Sequence, residues 1–231
     1  MKTVKLLREA ADMIQTHVQG HGSLPTELRS LALERENQLK KAPNAMKQPY
    51  LLIGGKVVDL INPEPEQIDL TAIERSLWTA RRFSNNPMAL LLRQHTFMVR
   101  CLAVILNANP PAIRWAEHHD DHEGIIGDVP GPLKTYIENS AAPGTISLSE
   151  IERRLDSAIC GARGIDEPTD VTRKEVHFYD KLAETLEWLF VLKRAPEPWN
   201  QPWRDYLSQA EAELIVEKAV GLRAPPGLLP A

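Results

Sequence analysis

The apolar positions of the chain change period near residue 50. In "MKTVKLLREAADMIQTHV", Val4, Leu7, Ala11, Ile14 and Val18 recur every three or four residues, which places them on one face of a helix over 3–18. "QGHGSLP" stops that helix, and a more polar one is expected over 26–45. The pattern then becomes extended. Leu51–Ile53 and Lys56–Leu60 flank Gly54-Gly55, the signature of a hairpin, and "NPEPEQ" closes it. From Asp69 onward the period is helical again, with helices expected over 69–80, 87–107, 111–125, 132–140, 148–162, 169–194 and 200–221. Pro87, Pro110, Pro111, Pro130, Pro132, Pro168 and Pro196 mark the joints, because a residue without an N–H starts or stops a helix. Ser147 or Ser149 caps the helix over 148–162. The expected fold is all-α with a small β-hairpin in the N-terminal third. Residues 1–47 read as a helical extension, 48–222 as the main domain and 223–231 as a frayed tail.

Composition narrows the function. The chain has 231 residues, 43% hydrophobic and 25% charged, enough to bury a core without staples. A net charge of −4 argues against stable nucleic-acid binding but leaves a nucleotide substrate open, since one local basic pocket suffices. Cys101 and Cys160 stand far apart in no metal-type spacing and read as reduced intracellular thiols. The N-terminus lacks the unbroken apolar segment of a signal peptide, and no run approaches the roughly 18 residues of a membrane span. A soluble cytoplasmic protein with no membrane partner is expected. The stripe on helix 3–18 can pack on the core or on a second subunit, so a homo-oligomer stays open.

The candidate chemistry gathers in "EHHDDHEGIIGDVPGPLK", residues 117–134. Five acids and three of the seven histidines fall within its first twelve positions. On a continuous helix over 111–125, Ala112, Trp115, His119 and Glu123 line up, and Ile113, Ala116 and Asp120 follow on the next rows. Adjacent His119 and Asp120 offer a metal one nitrogen and one oxygen ligand; the alternative is a polar turn facing solvent. His118 and His122 are four apart, but the residue after His118 is His119 and not the glutamate of an H-E-x-x-H zinc motif, so they are expected to flank the site, to orient its ligands or to face water. Two more ligands can come from apolar helices. His95 shares a stripe with Leu91, Val99 and Leu102, and is either a ligand or a core histidine with a hydrogen bond. Asp180 shares one with Val176 and Ala183, where a carboxylate is costly unless it meets a cation or an arginine.

The order H…HD…D in this set resembles the HD-domain superfamily of metal-dependent phosphohydrolases. "HHDDHEGIIGDVPGPLK" is similar in particular to the bacterial 5′-deoxynucleotidase branch. "GGKVVDLINPEPEQID" and "ARRFSNN" further resemble small HD hydrolases of phages and mobile elements. The likeness spans roughly residues 49–195 and implies an HD-type helical bundle. It implies that His95, His119, Asp120 and Asp180 ligate one divalent metal ion and that Glu123 and Asp128 are the catalytic acids. Two nitrogens and two oxygens suit Mn²⁺, Co²⁺, Fe²⁺, Ni²⁺ or Zn²⁺ better than Mg²⁺. Arg82, with Arg81 as its rival, and Lys134 are the candidates to bind the substrate phosphate. Trp78, Phe83 and Trp115 offer either a face for a base or core packing. The implied activity is release of orthophosphate from deoxynucleoside 5′-monophosphates. The alternatives are a deoxynucleoside triphosphohydrolase releasing tripolyphosphate and a non-catalytic nucleotide-binding module.

Overall fold

The chain divides into two units, Met1–Pro49 and Tyr50–Ala231. The computed structural model describes residues 50–141, 144–194 and 202–229. The helices expected over 3–18 and 26–45 lie outside the described residues.

The second unit is all-α with one two-stranded antiparallel hairpin. Strands β1 (Tyr50–Ile53) and β2 (Lys56–Asp59) pair with Ile53 opposite Lys56. Gly54 and Gly55 take φ of +60° and +98°, as a tight hairpin requires. A Cβ at Gly54 would collide with the Asp69 carboxylate. Asp69 itself caps helix α1 (Leu70–Leu77) by accepting from Ala72 N. The remaining helices are α2 (Leu92–Ile105), α3 (Pro110–His118), α4 (Glu123–Ile126), α5 (Gly131–Ser140), α6 (Leu148–Arg163), α7 (Asp170–Leu186) and α8 (Gln209–Gly221). Ser147, Thr169 and Ser208 cap α6, α7 and α8. Among the described residues no helix is long and apolar enough to cross a membrane.

Four departures from the sequence pattern shape the site. The helix expected over 87–107 begins only at Leu92. Arg81 bridges Leu91, and Arg82 N donates to Leu90 O at 3.0 Å. Before it, Phe83, Ser84 and Asn85 take φ of 54°, 56° and 60°, three consecutive left-handed residues. The helix expected over 111–125 breaks after His118. There Asp121 N, Glu123 N and Gly124 N donate to the carbonyls three residues back, tightening the chain before α4. The helix expected over 169–194 passes into a π-turn over Glu187–Val191. The one expected over 200–221 is a 3₁₀ turn at Trp203–Asp205 followed by α8. At the tail, Arg75 Nε donates to Leu228 O at 2.8 Å.

Two apolar clusters fill the interior. One joins α2, α3, α7 and α8 through Met98, Leu102, Trp115, Val176, Leu182 and Ile215. The other joins the hairpin, α1, α4 and α6 through Val58, Ile73, Leu77, Ile125 and Ile159. Trp78 and Trp115 are core residues in this packing.

Candidate metal centre

Three elements bring their polar side chains together. His95 lies in the first turn of α2 and is fully buried. His119 and Asp120 occupy the tightened turn after α3, and Asp180 lies on α7. Donor atoms of His95, His119 and Asp120 lie within 4.8 Å of one another, so these three can hold a metal ion. Asp180 joins them through His95, its Oδ1 2.9 Å from Nε2. Asp120 Oδ2 is 3.8 Å from the same nitrogen.

The ring nitrogens are oriented from behind. His119 Nδ1–H donates to Ala116 O at 3.0 Å, which leaves Nε2 facing the acids. That Nε2 is buried and stands 3.2 Å from Asp120 Oδ1, yet it lacks the alignment of a hydrogen bond. His95 Nδ1 lies 3.0 Å from Arg82 Nη1. Because a guanidinium can only donate, without a metal this nitrogen accepts and Nε2–H donates to Asp180, whereas ligation through Nε2 would move the ring proton to Nδ1. The mixed nitrogen and oxygen donors and the unpartnered His119 Nε2 both fit a divalent transition ion.

Electrostatics bind the group. Burial pulls the His119 imidazole down, but Asp120 and then Asp180 outweigh it and raise its pKa to about 9. Burial pushes Asp120 and Asp180 up. Their histidine neighbours, with Arg82 also acting on Asp180, hold both well below the usual carboxylate range. Glu123 is driven the other way, well above that range, first by burial and then by Asp120 and Asp128 against the pull of Arg82.

His119, Asp120, Glu123 and Asp180 line one cavity of about 1310 Å³. Among the described residues, the buried side-chain N and O atoms without a hydrogen-bond partner are His119 Nε2, Glu123 Oε2 and Trp188 Nε1. All three side chains face this cavity. Asp128 lines it too, its Oδ2 accepting from Ser84 N at 3.2 Å. So does Arg82, whereas Arg81 turns away and donates to Ala89 O. Phe83 lies beside Trp188, their ring centres 5.6 Å apart.

The expected phosphate-binding cations each face an acid. Lys134 is paired with Glu152, and Arg82 with Glu187. His118 and His122 share no site: His118 Nδ1 faces Asp121 at 3.1 Å and His122 Nδ1 faces Asp156 at 2.9 Å. Glu187, Asp156 and Trp188 are cavity or support residues that the sequence pattern did not single out. Glu187 had a signal, because it falls seven residues after Asp180 and so on the same helix face. No family model matches the chain, and no curated protein is detectably similar to it.

Proposed function

We propose that this chain is a metal-dependent phosphohydrolase of the HD type that releases orthophosphate from deoxynucleoside 5′-monophosphates. The observation that carries the reading is the cavity on whose wall His119, Asp120 and Asp180, with buried His95 at hydrogen-bond distance from Asp180, adjoin the further carboxylates Glu123 and Asp128, together with every unpartnered buried side-chain N or O atom of the described residues. A divalent ion held by His95, His119, Asp120 and Asp180 would supply Lewis-acid polarisation of a phosphate oxygen and of water. Mn²⁺, Co²⁺, Fe²⁺, Ni²⁺ and Zn²⁺ suit the donors. The residues left over do the proton work. The water oxygen bonds to phosphorus and the bond from phosphorus to the 5′-oxygen breaks. Asp128, oriented by the Ser84 N–H, takes the water proton, and Glu123 delivers its own to the leaving 5′-oxygen.

Charge favours a monophosphate. The basic side chains on the wall each already face an acid: Arg82 with Glu187, Lys134 with Glu152, Arg153 with Glu150, Arg173 with Asp156 and Lys181 with Glu184. A triphosphate would bring several more negative charges to a wall with no surplus cations.

The test is to incubate the metal-loaded protein with dNMPs and dNTPs in parallel and resolve the released phosphate by chain length. Orthophosphate from dNMPs is expected, with Asp120→Ala losing both metal and turnover. Tripolyphosphate from dNTPs with dNMPs untouched would replace the substrate class. Nucleotide binding without turnover would make the chain a binding module. A full metal complement in Asp120→Ala would overturn the ligand assignment.

A further inference from the structure

We infer that Glu187 is a positioning residue that fixes the Arg82 guanidinium for substrate phosphate; this rests on the reading of the cavity given above. Glu187 is fully buried at the start of the π-turn that ends α7. Its Oε1 accepts from Leu90 N at 2.8 Å and its Oε2 from Arg82 Nη1 at 2.9 Å. The same Nη1 lies 3.0 Å from His95 Nδ1. One carboxylate therefore grips the Arg82 side chain and also the segment whose Leu90 carbonyl receives the Arg82 backbone N–H.

A buried ion pair is a poor source of stability, because an apolar pair of similar volume serves packing as well. Its effect here is geometric. An arginine side chain is long and flexible, and holding it to a cavity wall costs conformational entropy. Glu187 and His95 occupy Nη1, while Nε and Nη2 make no hydrogen bond among the described residues. The Arg82 side chain lies over the Phe83 ring at 4.9 Å. This leaves one edge of the guanidinium, held from behind and from one face, for the two parallel hydrogen bonds a phosphate accepts. Glu187 lies on the Asp180 face of α7, where the helix passes into its π-turn, and such turns recur at functional sites.

The experiment compares the metal-loaded full chain with Arg82→Ala, Glu187→Gln and the double variant, on the nucleotide that the wild type hydrolyses and with inorganic phosphate as competitor. Glu187→Gln keeps an acceptor for Leu90 N and removes the charge. It is expected to raise KM and the phosphate inhibition constant by about tenfold, with kcat changed far less and metal content unchanged. Arg82→Ala is expected to do the same, and the double variant to be no worse than Arg82→Ala. If Glu187→Gln does not fold, Glu187→Met fills the volume without the charge and is expected to show the same KM effect. An unchanged KM in a folded Glu187 variant, or effects that multiply in the double variant, would overturn the positioning role alone. A wild-type chain that neither holds metal nor hydrolyses any nucleotide would overturn the functional reading and this role with it.

Discussion

His119 shows how single atoms set the site. Its Nδ1–H is committed to the Ala116 carbonyl, so everything the ring can still do happens at Nε2. There, burial is outweighed by Asp120 and Asp180, and the imidazole holds its proton up to about pH 9 in the metal-free protein. The folded pKa is thus raised above the ordinary value near 6.5. The associated stability is fully present below that ordinary value and is lost as pH rises through about 9. A metal ion at Nε2 would compete with the proton for the same lone pair, so its affinity would grow over the same window. Melting the chain with and without Mn²⁺ or Zn²⁺ from pH 6.5 to 9 is expected to show a metal-induced rise in Tm that increases with pH. A rise that stays constant across that range would mean that Nε2 does not meet the metal.

At the scale of elements, the turn after Arg82 carries conformational cost for the sake of placement. A left-handed L-residue costs roughly 1–2 kcal/mol, and Phe83, Ser84 and Asn85 are left-handed in succession. The turn aims Arg82 into the cavity, lays Phe83 against Trp188 and points the Ser84 N–H at Asp128. Asn85 tolerates the conformation and Phe83 is needed for packing, so Ser84 is where the cost is exposed to test. Ser84→Gly keeps the N–H and is expected to stabilise the fold by about 1 kcal/mol in a denaturant melt. It is also expected to lower kcat, because Asp128 and Arg82 are then held less firmly. A Ser84→Gly chain that is less stable than the wild type would show the turn to be unstrained. None of this could be read from "RRFSNNP", where Asn85-Asn86-Pro87 signals only that a turn exists. The hairpin was legible, and the α6 cap was narrowed to Ser147 or Ser149, because both are written in adjacent residues. The break after α3 was not, because its cause is distant. Asp121 is buried and its carboxylate accepts from Arg163 Nε at 2.8 Å and from Arg93 at 3.4 Å, two residues on other helices. That network draws the chain into a tighter turn than the apolar period of 111–125 calls for. It also shifts Asp120 off the row on which a continuous helix would put it, although the pairing of His119 with Asp120 survives because neighbours in sequence stay neighbours.

Across the whole unit, charge around the cavity is arranged in pairs with acid in excess. Its wall carries eight Asp or Glu side chains against five Lys or Arg. A divalent ion held by His95, His119 and Asp120 would absorb part of the excess. The rest is tied up locally, as where Lys134, expected to face a phosphate, meets Glu152 instead. Sequence shows how many cations a segment holds but not which of them are already spent on a neighbour, since Glu152 lies on α6 and Lys134 on α5. The pairing sets a limit on the charge a substrate can bring. Freeing one cation should therefore move the preference toward more highly charged nucleotides without touching the metal ligands. Glu152→Gln removes the carboxylate that neutralises Lys134 and keeps a side chain of the same shape. The expected result is that dNTPs, as inhibitors of dNMP hydrolysis, bind about tenfold more tightly to this variant, while the KM for dNMPs moves much less. The difference should shrink as ionic strength rises, because the freed lysine acts through a half-exposed side chain that salt can screen. Inhibition by dNTPs that is the same in both proteins at low salt would show that Lys134 does not face the bound nucleotide, and that the discrimination between one phosphate and three lies elsewhere on the wall.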